Sequence, residues 1–72
     1  MKKCRRIAAH RLLAENGTLL KLYIVELEDG VVKTYYPFTH EIEHTEWMSG
    51  EIVLKRDTMG GLRAFYNEMM IE

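Results

Sequence analysis

The sequence predicts a small, mainly β domain: an antiparallel meander or partly open barrel of about five strands. Three observations carry this reading. Asn16-Gly17 and Asp29-Gly30 stand between apolar runs, and these residue types tolerate the positive φ that both central residues of a type I′ hairpin turn require. The segment from Leu19 to Leu27 is apolar on both faces over most of its length, as a central strand covered on two sides would be. Finally, a chain of 72 residues, 47% hydrophobic with one proline, can build one core but not two.

Taken in order, the glycine-containing breaks at Asn16-Gly17, Asp29-Gly30, Ser49-Gly50 and Gly60-Gly61 divide the chain into five segments. A two-residue loop at Asn16-Gly17 sets Leu13 opposite Leu20, Ala9 opposite Ile24 and His10 opposite Tyr23. A second such loop at Asp29-Gly30 sets Leu27 opposite Val32, Glu26 opposite Lys33, Ile24 opposite Tyr35 and Tyr23 opposite Tyr36. That register pairs opposite charges and aromatic rings, contacts worth about 0.2–1 kcal/mol each. Residues 5–38 are therefore expected to form a three-stranded meander with the middle segment in its centre. The first segment, 3–15, has a competing helical reading, because Cys4, Ile7, Ala8, Arg11 and Leu12 fall at helical spacing and Gly17 could follow a helix end.

Farther along, Glu51 to Arg56 reads as a strand, and the turn-rich stretch from Asp57 to Gly61 returns the chain as its hairpin partner. In the last segment, 62–71, Leu62, Phe65, Tyr66, Met69 and Met70 also match an amphipathic helix. With no good N-cap beside Leu62, the balance tips slightly to a strand. A short helix near 40–48 or at the C-terminus, or an α+β fold with a C-terminal helix, remains as the alternative.

Composition excludes several classes of function. Ten Lys and Arg against eleven Asp and Glu argue against a dedicated nucleic-acid or anionic-membrane binder. No apolar run approaches the ~20 residues of a membrane span, and no secretory or lipoprotein signal is legible at the N-terminus. One cysteine, Cys4, rules out an internal disulfide and suits a reducing compartment, so the cytoplasm is the expected location. Its basic neighbours could lower the Cys4 pKa, but no resolving thiol accompanies it.

His40-Glu41-Ile42-Glu43-His44 matches H-E-x-x-H over five residues and resembles the zinc metallopeptidase motif. The resemblance implies His40 and His44 as zinc ligands and Glu41 as general base. The motif needs a helix to bring both imidazoles to one face. Pro37 limits that helix upstream, Ser49-Gly50 stops it after two or three turns, Glu43 places a charge inside the motif, and no third ligand is evident. The contrasting reading is a polar connection between sheet edges, with no cofactor.

Tyr35, Tyr36, Phe38 and Trp47 flank this connection. Phe38 and Trp47 are expected to fold back and close the end of the core, and the functional alternative is a contact patch built from all four. His10, in a row with Tyr23 and Tyr36, lacks the nucleophile or carboxylate that catalysis would need. Lys2, Lys3, Arg5, Arg6 and Arg11 form a basic stretch that could bind nucleic acid weakly. The same stretch could instead meet the acidic Glu41, Glu43, Glu46 and Glu51 of a second copy in a homodimer.

Taken together, Ile7 to Leu13, Val25 to Phe38 and Thr45 to Trp47 resemble short bacterial β proteins that carry no assigned activity. They are loosely similar also to the N-terminal β strands of amidohydrolases, but the catalytic H-x-H of those enzymes is absent and no barrel follows. The resemblance implies a β architecture and no hydrolase activity. The expected function is a non-enzymatic protein-interaction module that self-associates, with a metal-binding protein or minimal zinc hydrolase at His40, Glu41 and His44 as the alternative.

Overall fold

The computed structural model describes residues 3–72; Met1 and Lys2, the latter part of the basic stretch, lie outside the described residues. Six strands form one mixed sheet: β1 (Cys4–Leu13), β2 (Leu19–Glu28), β3 (Val31–Pro37), β4 (Thr45–Arg56), β5 (Leu62–Tyr66) and β6 (Met69–Met70). Their order across the sheet is β3-β2-β1-β4-β5-β6, and every pairing is antiparallel except β1 with β4. The described chain contains no helix, so none is long and apolar enough to cross a membrane.

The meander is present, with β2 between β1 and β3, but its first register is one residue from the expected one: Leu13 lies opposite Leu19 and Ala9 opposite Tyr23. The cause is the turn. Ala14 N–H donates to the Thr18 carbonyl, Gly17 N–H to the Ala14 carbonyl and Thr18 N–H to Asn16 Oδ1, with Gly17 at φ 87°. This is a three-residue loop, a turn followed by a left-handed glycine, and so differs from the two-residue I′ loop. Asp29-Gly30 does form the expected turn, with φ 51° and 80°. Leu27 accordingly meets Val32, but a bulge at Lys33 then moves Thr34 opposite Glu26 and Tyr36 opposite Ile24. The expected Glu26–Lys33 and Tyr23–Tyr36 cross-strand pairs are therefore not formed. Lys33 reaches Glu28 at 3.9 Å, and the Tyr23 ring lies 6.4 Å from that of Tyr35.

Two features depart from the five-strand expectation. β4 starts at Thr45, so the stretch 40–48 is loop and then strand, and Ser49-Gly50 is a bulge inside β4 instead of a break. The C-terminal segment is β5, a turn at Asn67-Glu68 with φ 52° and 66°, and β6, so its helical spacing corresponds to a hairpin. The Asp57–Gly61 turn returns β5 onto β4 as expected. Asp57 holds it, accepting from the N–H groups of Met59 and Gly61 and from Arg63 Nε at 2.8 Å.

The sheet curls into a half-barrel, because bulges bend strands and increase their twist. Its inner face carries the main core, in which Ile7, Ala9, Leu12, Val25, Leu27, Ile52, Leu54 and Ala64 are buried. The open side closes where Gly30, buried in the β2–β3 turn, meets Ile71 and Glu72. At φ 80° Gly30 holds a conformation that strains a residue with a side chain, and a Cβ there would stand 3.6 Å from Glu72 Cα and 2.9 Å from the movable guanidinium of Arg63.

Candidate functional site

The order β3-β2-β1-β4 forces the connection 38–44 to leave one edge and cross β2 and β1 before starting β4. This crossing builds the outer face. Pro37 ends β3, Phe38 N–H donates to the Leu22 carbonyl at 2.9 Å, and Thr45 Oγ1 donates to the Ile42 carbonyl at 2.7 Å around a turn with His44 at φ 58°. Beneath the crossing, Ala8 and Ile24 point away from the main core yet are fully buried.

One cation fastens the crossing to the sheet. Arg6 donates from Nε to Glu26 Oε2 at 3.1 Å and from Nη1 to the Glu43 carbonyl at 2.6 Å, while Tyr36 Oη donates to the same Glu26 oxygen. The hydrogen bond from Tyr36, and after it that from Arg6, holds the Glu26 carboxyl below the usual glutamate range. Burial, and then the Glu26 carboxylate, pushes the Tyr36 phenol up. On the inner face Arg5 pairs Glu46 bidentately at 2.6 and 2.9 Å and donates to the Glu72 carbonyl at 2.7 Å. Adjacent arginines thus clamp opposite faces, as the alternation of a strand requires.

Trp47 stands next to the crossing, and the expectation that it closes the core is not met: it is 52% exposed. Phe38 flanks it at 5.5 Å between centroids and His10 at 5.4 Å. The four residues expected to form a patch are therefore divided. Phe38 and Trp47 meet on the outer face, Tyr36 there is tied to Glu26, and Tyr35 packs against the main core.

His10 was missed as a member of this group because its place depends on the parallel pairing of β1 with β4, which no local turn signals. It lies opposite the Ser49-Gly50 bulge instead of opposite Tyr23. At the same level of the sheet Leu22 has φ 56°, so β2 bends where β1 and β4 are irregular. Below this line the outer face is open. Leu19 and Leu22 are 48% and 40% exposed, and Arg11 lies opposite Lys21, neither with an ion-pair partner among the described residues.

The helix that His40, Glu41 and His44 would need is not formed; the five residues lie in the crossing loop and its turn. Thr39 Oγ1 is 3.0 Å from His40 Nδ1, whereas His44 lines a shallow depression shared with Cys4, Arg5 and Arg6. Among the described residues no group of three or more His, Cys, Asp or Glu side chains is disposed to hold a metal ion. Nor is the basic stretch a continuous surface. Arg5 and Arg6 are engaged within the chain on opposite faces, and the backbones of Lys3 and Asp29 bond at 2.7 Å. No family model, curated protein or solved structure matches the chain.

Proposed function

We propose that the chain is a non-enzymatic interaction module that self-associates through its outer face. The observation that carries this is Trp47: the single tryptophan stands between Phe38 and His10 and remains half exposed. Tryptophan is the residue type most enriched at the energetic centres of interfaces, where a fixed ring loses little entropy on docking. The open leucines beside it supply a surrounding apolar surface.

Light scattering during size-exclusion chromatography tests the proposal, at loading concentrations up to about 1 mM, where a contact of only about 4 kcal/mol is half formed. The mass of the wild-type chain should rise with concentration from that of one chain toward that of two. Trp47→Ser should remain monomeric with an unchanged far-ultraviolet circular dichroism spectrum. A wild-type chain that stays monomeric throughout overturns self-association.

A further inference from the structure

Descending the outer face along β1, three kinds of surface follow one another. At the level of Arg6, which donates to the Glu43 carbonyl, the crossing presents Glu43, with Glu41 two residues before it; both are exposed and without a side-chain partner among the described residues. At the level of Ala8 and His10 lies the Trp47 cluster. At the next level Arg11 stands between Lys21 on β2 and Glu51 on β4, so this row carries two cations and one carboxylate. An acidic row, an aromatic row and a row in which Arg11 and Lys21 outnumber Glu51 therefore follow one another, five residues of strand or about 17 Å from end to end.

From this arrangement we infer that the partner of the outer face is a second copy of this chain, docked face to face about a two-fold axis that crosses the strands at Trp47. The inference rests on the self-association proposed above and specifies its geometry. A two-fold axis lying along the strands would set Glu41 and Glu43 against their own copies. An axis across the strands reverses one sheet relative to the other and sets each copy's Glu41 and Glu43 over the other's Arg11 and Lys21. The charge order thus selects the antiparallel dimer, and the two Trp47 clusters meet at its centre. The broad face, with extents of 33 × 32 Å, has room for the ~800 Å² per partner that a stable interface buries.

Complementary charge reversal tests the geometry, using sedimentation equilibrium at low salt on the full chain. One variant carries Arg11→Glu with Lys21→Glu, and the other carries Glu41→Lys with Glu43→Lys. All four sites are exposed, and circular dichroism verifies that each variant folds. Each variant alone should raise the dimer dissociation constant by about tenfold or more, because both symmetry-related contacts become repulsive. An equimolar mixture should restore dimers, since in the mixed pair both contacts are again opposite in sign. If wild type dimerises and both variants dimerise equally well, self-association stands and this interface is overturned. If wild type is monomeric, both proposals fail. A monomer that retains single-stranded oligonucleotides, and loses them with Arg11→Glu and Lys21→Glu, replaces the second copy with nucleic acid as the partner.

Discussion

Ile24 and Leu22 stand two residues apart on β2 and belong to the same outer side of the sheet, yet Ile24 is fully buried and Leu22 is 40% exposed. On the inner face the half-barrel curls over the middle of the sheet, where Ile7, Leu12, Val25 and Ile52 are all completely buried. The outer face is covered only as far as the crossing 38–44 reaches. Where the chain passes, the sheet has a second small core; past the bend at Leu22, His10 and Gly50 it has none. An apolar residue outside the crossing is therefore surface available to a partner, and one beneath it is part of the fold.

The largest expected effect tests that division directly. Ile7→Ala on the inner face and Ile24→Ala beneath the crossing should each destabilise the chain by about 2–5 kcal/mol, the range for truncating a buried isoleucine. Leu22→Ala should cost about 1 kcal/mol or less, because much of that side chain is already in water. Urea denaturation of the three variants measures this. An Ile24→Ala cost as small as that of Leu22→Ala would mean that the crossing is not packed on the sheet. Since small domains have only about 5–15 kcal/mol in total, either isoleucine variant stands near the threshold of folding.

A smaller effect concerns how the crossing is fastened. Glu26 is held below its ordinary value of 4.5 by Tyr36 and Arg6, so its contribution to stability is present above that value and is lost as the pH falls through the depressed one. Glu26→Gln removes the charge. The variant should melt below wild type at neutral pH, and the two melting curves should converge in acid. Wild type also loses the Glu46 and Asp57 pairings there, whose carboxyls are likewise lowered by Arg5 and Arg63, but the variant shares that loss. The difference between the curves therefore isolates Glu26. Amide exchange should quicken in 38–44 and stay slow on the inner face; a uniform change would show that the clamp acts on the whole sheet.

Much of the inner face was legible in the sequence because its signals are local. Asp29-Gly30 gave its turn, Asp57 to Gly61 gave the β4–β5 hairpin, and the apolar segment Leu19–Leu27 gave the meander's middle strand. The outer face was not legible, because it depends on which strand lies beside β1. Parallel pairing with β4 joins residues about forty apart, and no turn residue announces it. Without it Trp47 had no reason to stand beside His10, and covering the core was the reasonable expectation. The same is true of the basic stretch: only the alternation of β1 shows that Arg5 and Arg6 serve different faces. At the C-terminus, period-two and period-3.6 patterns share Leu62 and Tyr66, and Asn67-Glu68 is a weak turn signal because glutamate seldom adopts positive φ.

The smallest effect lies on the dividing line itself. Leu22 has φ 56°, a left-handed conformation that costs a residue with a Cβ about 1–2 kcal/mol and costs glycine almost nothing. Replacing the leucine outright would mix this with lost packing, so the informative comparison is between Leu22→Gly and Leu22→Ala, which lose nearly the same contacts. At an ordinary strand position alanine is the more stable of such a pair by about 0.5–1 kcal/mol. At position 22 the order should invert, with glycine ahead by about 1 kcal/mol. Lys21, adjacent on the same strand and outside the left-handed region, supplies the control: Lys21→Ala should exceed Lys21→Gly. Inversion at 22 and not at 21 would locate the bend in β2 at the residue where the covered and open halves of the outer face divide. The ordinary order at both would mean that β2 runs straight, that Leu22 lies in the plane of the sheet, and that the open surface beside Trp47 is flatter than the bend makes it.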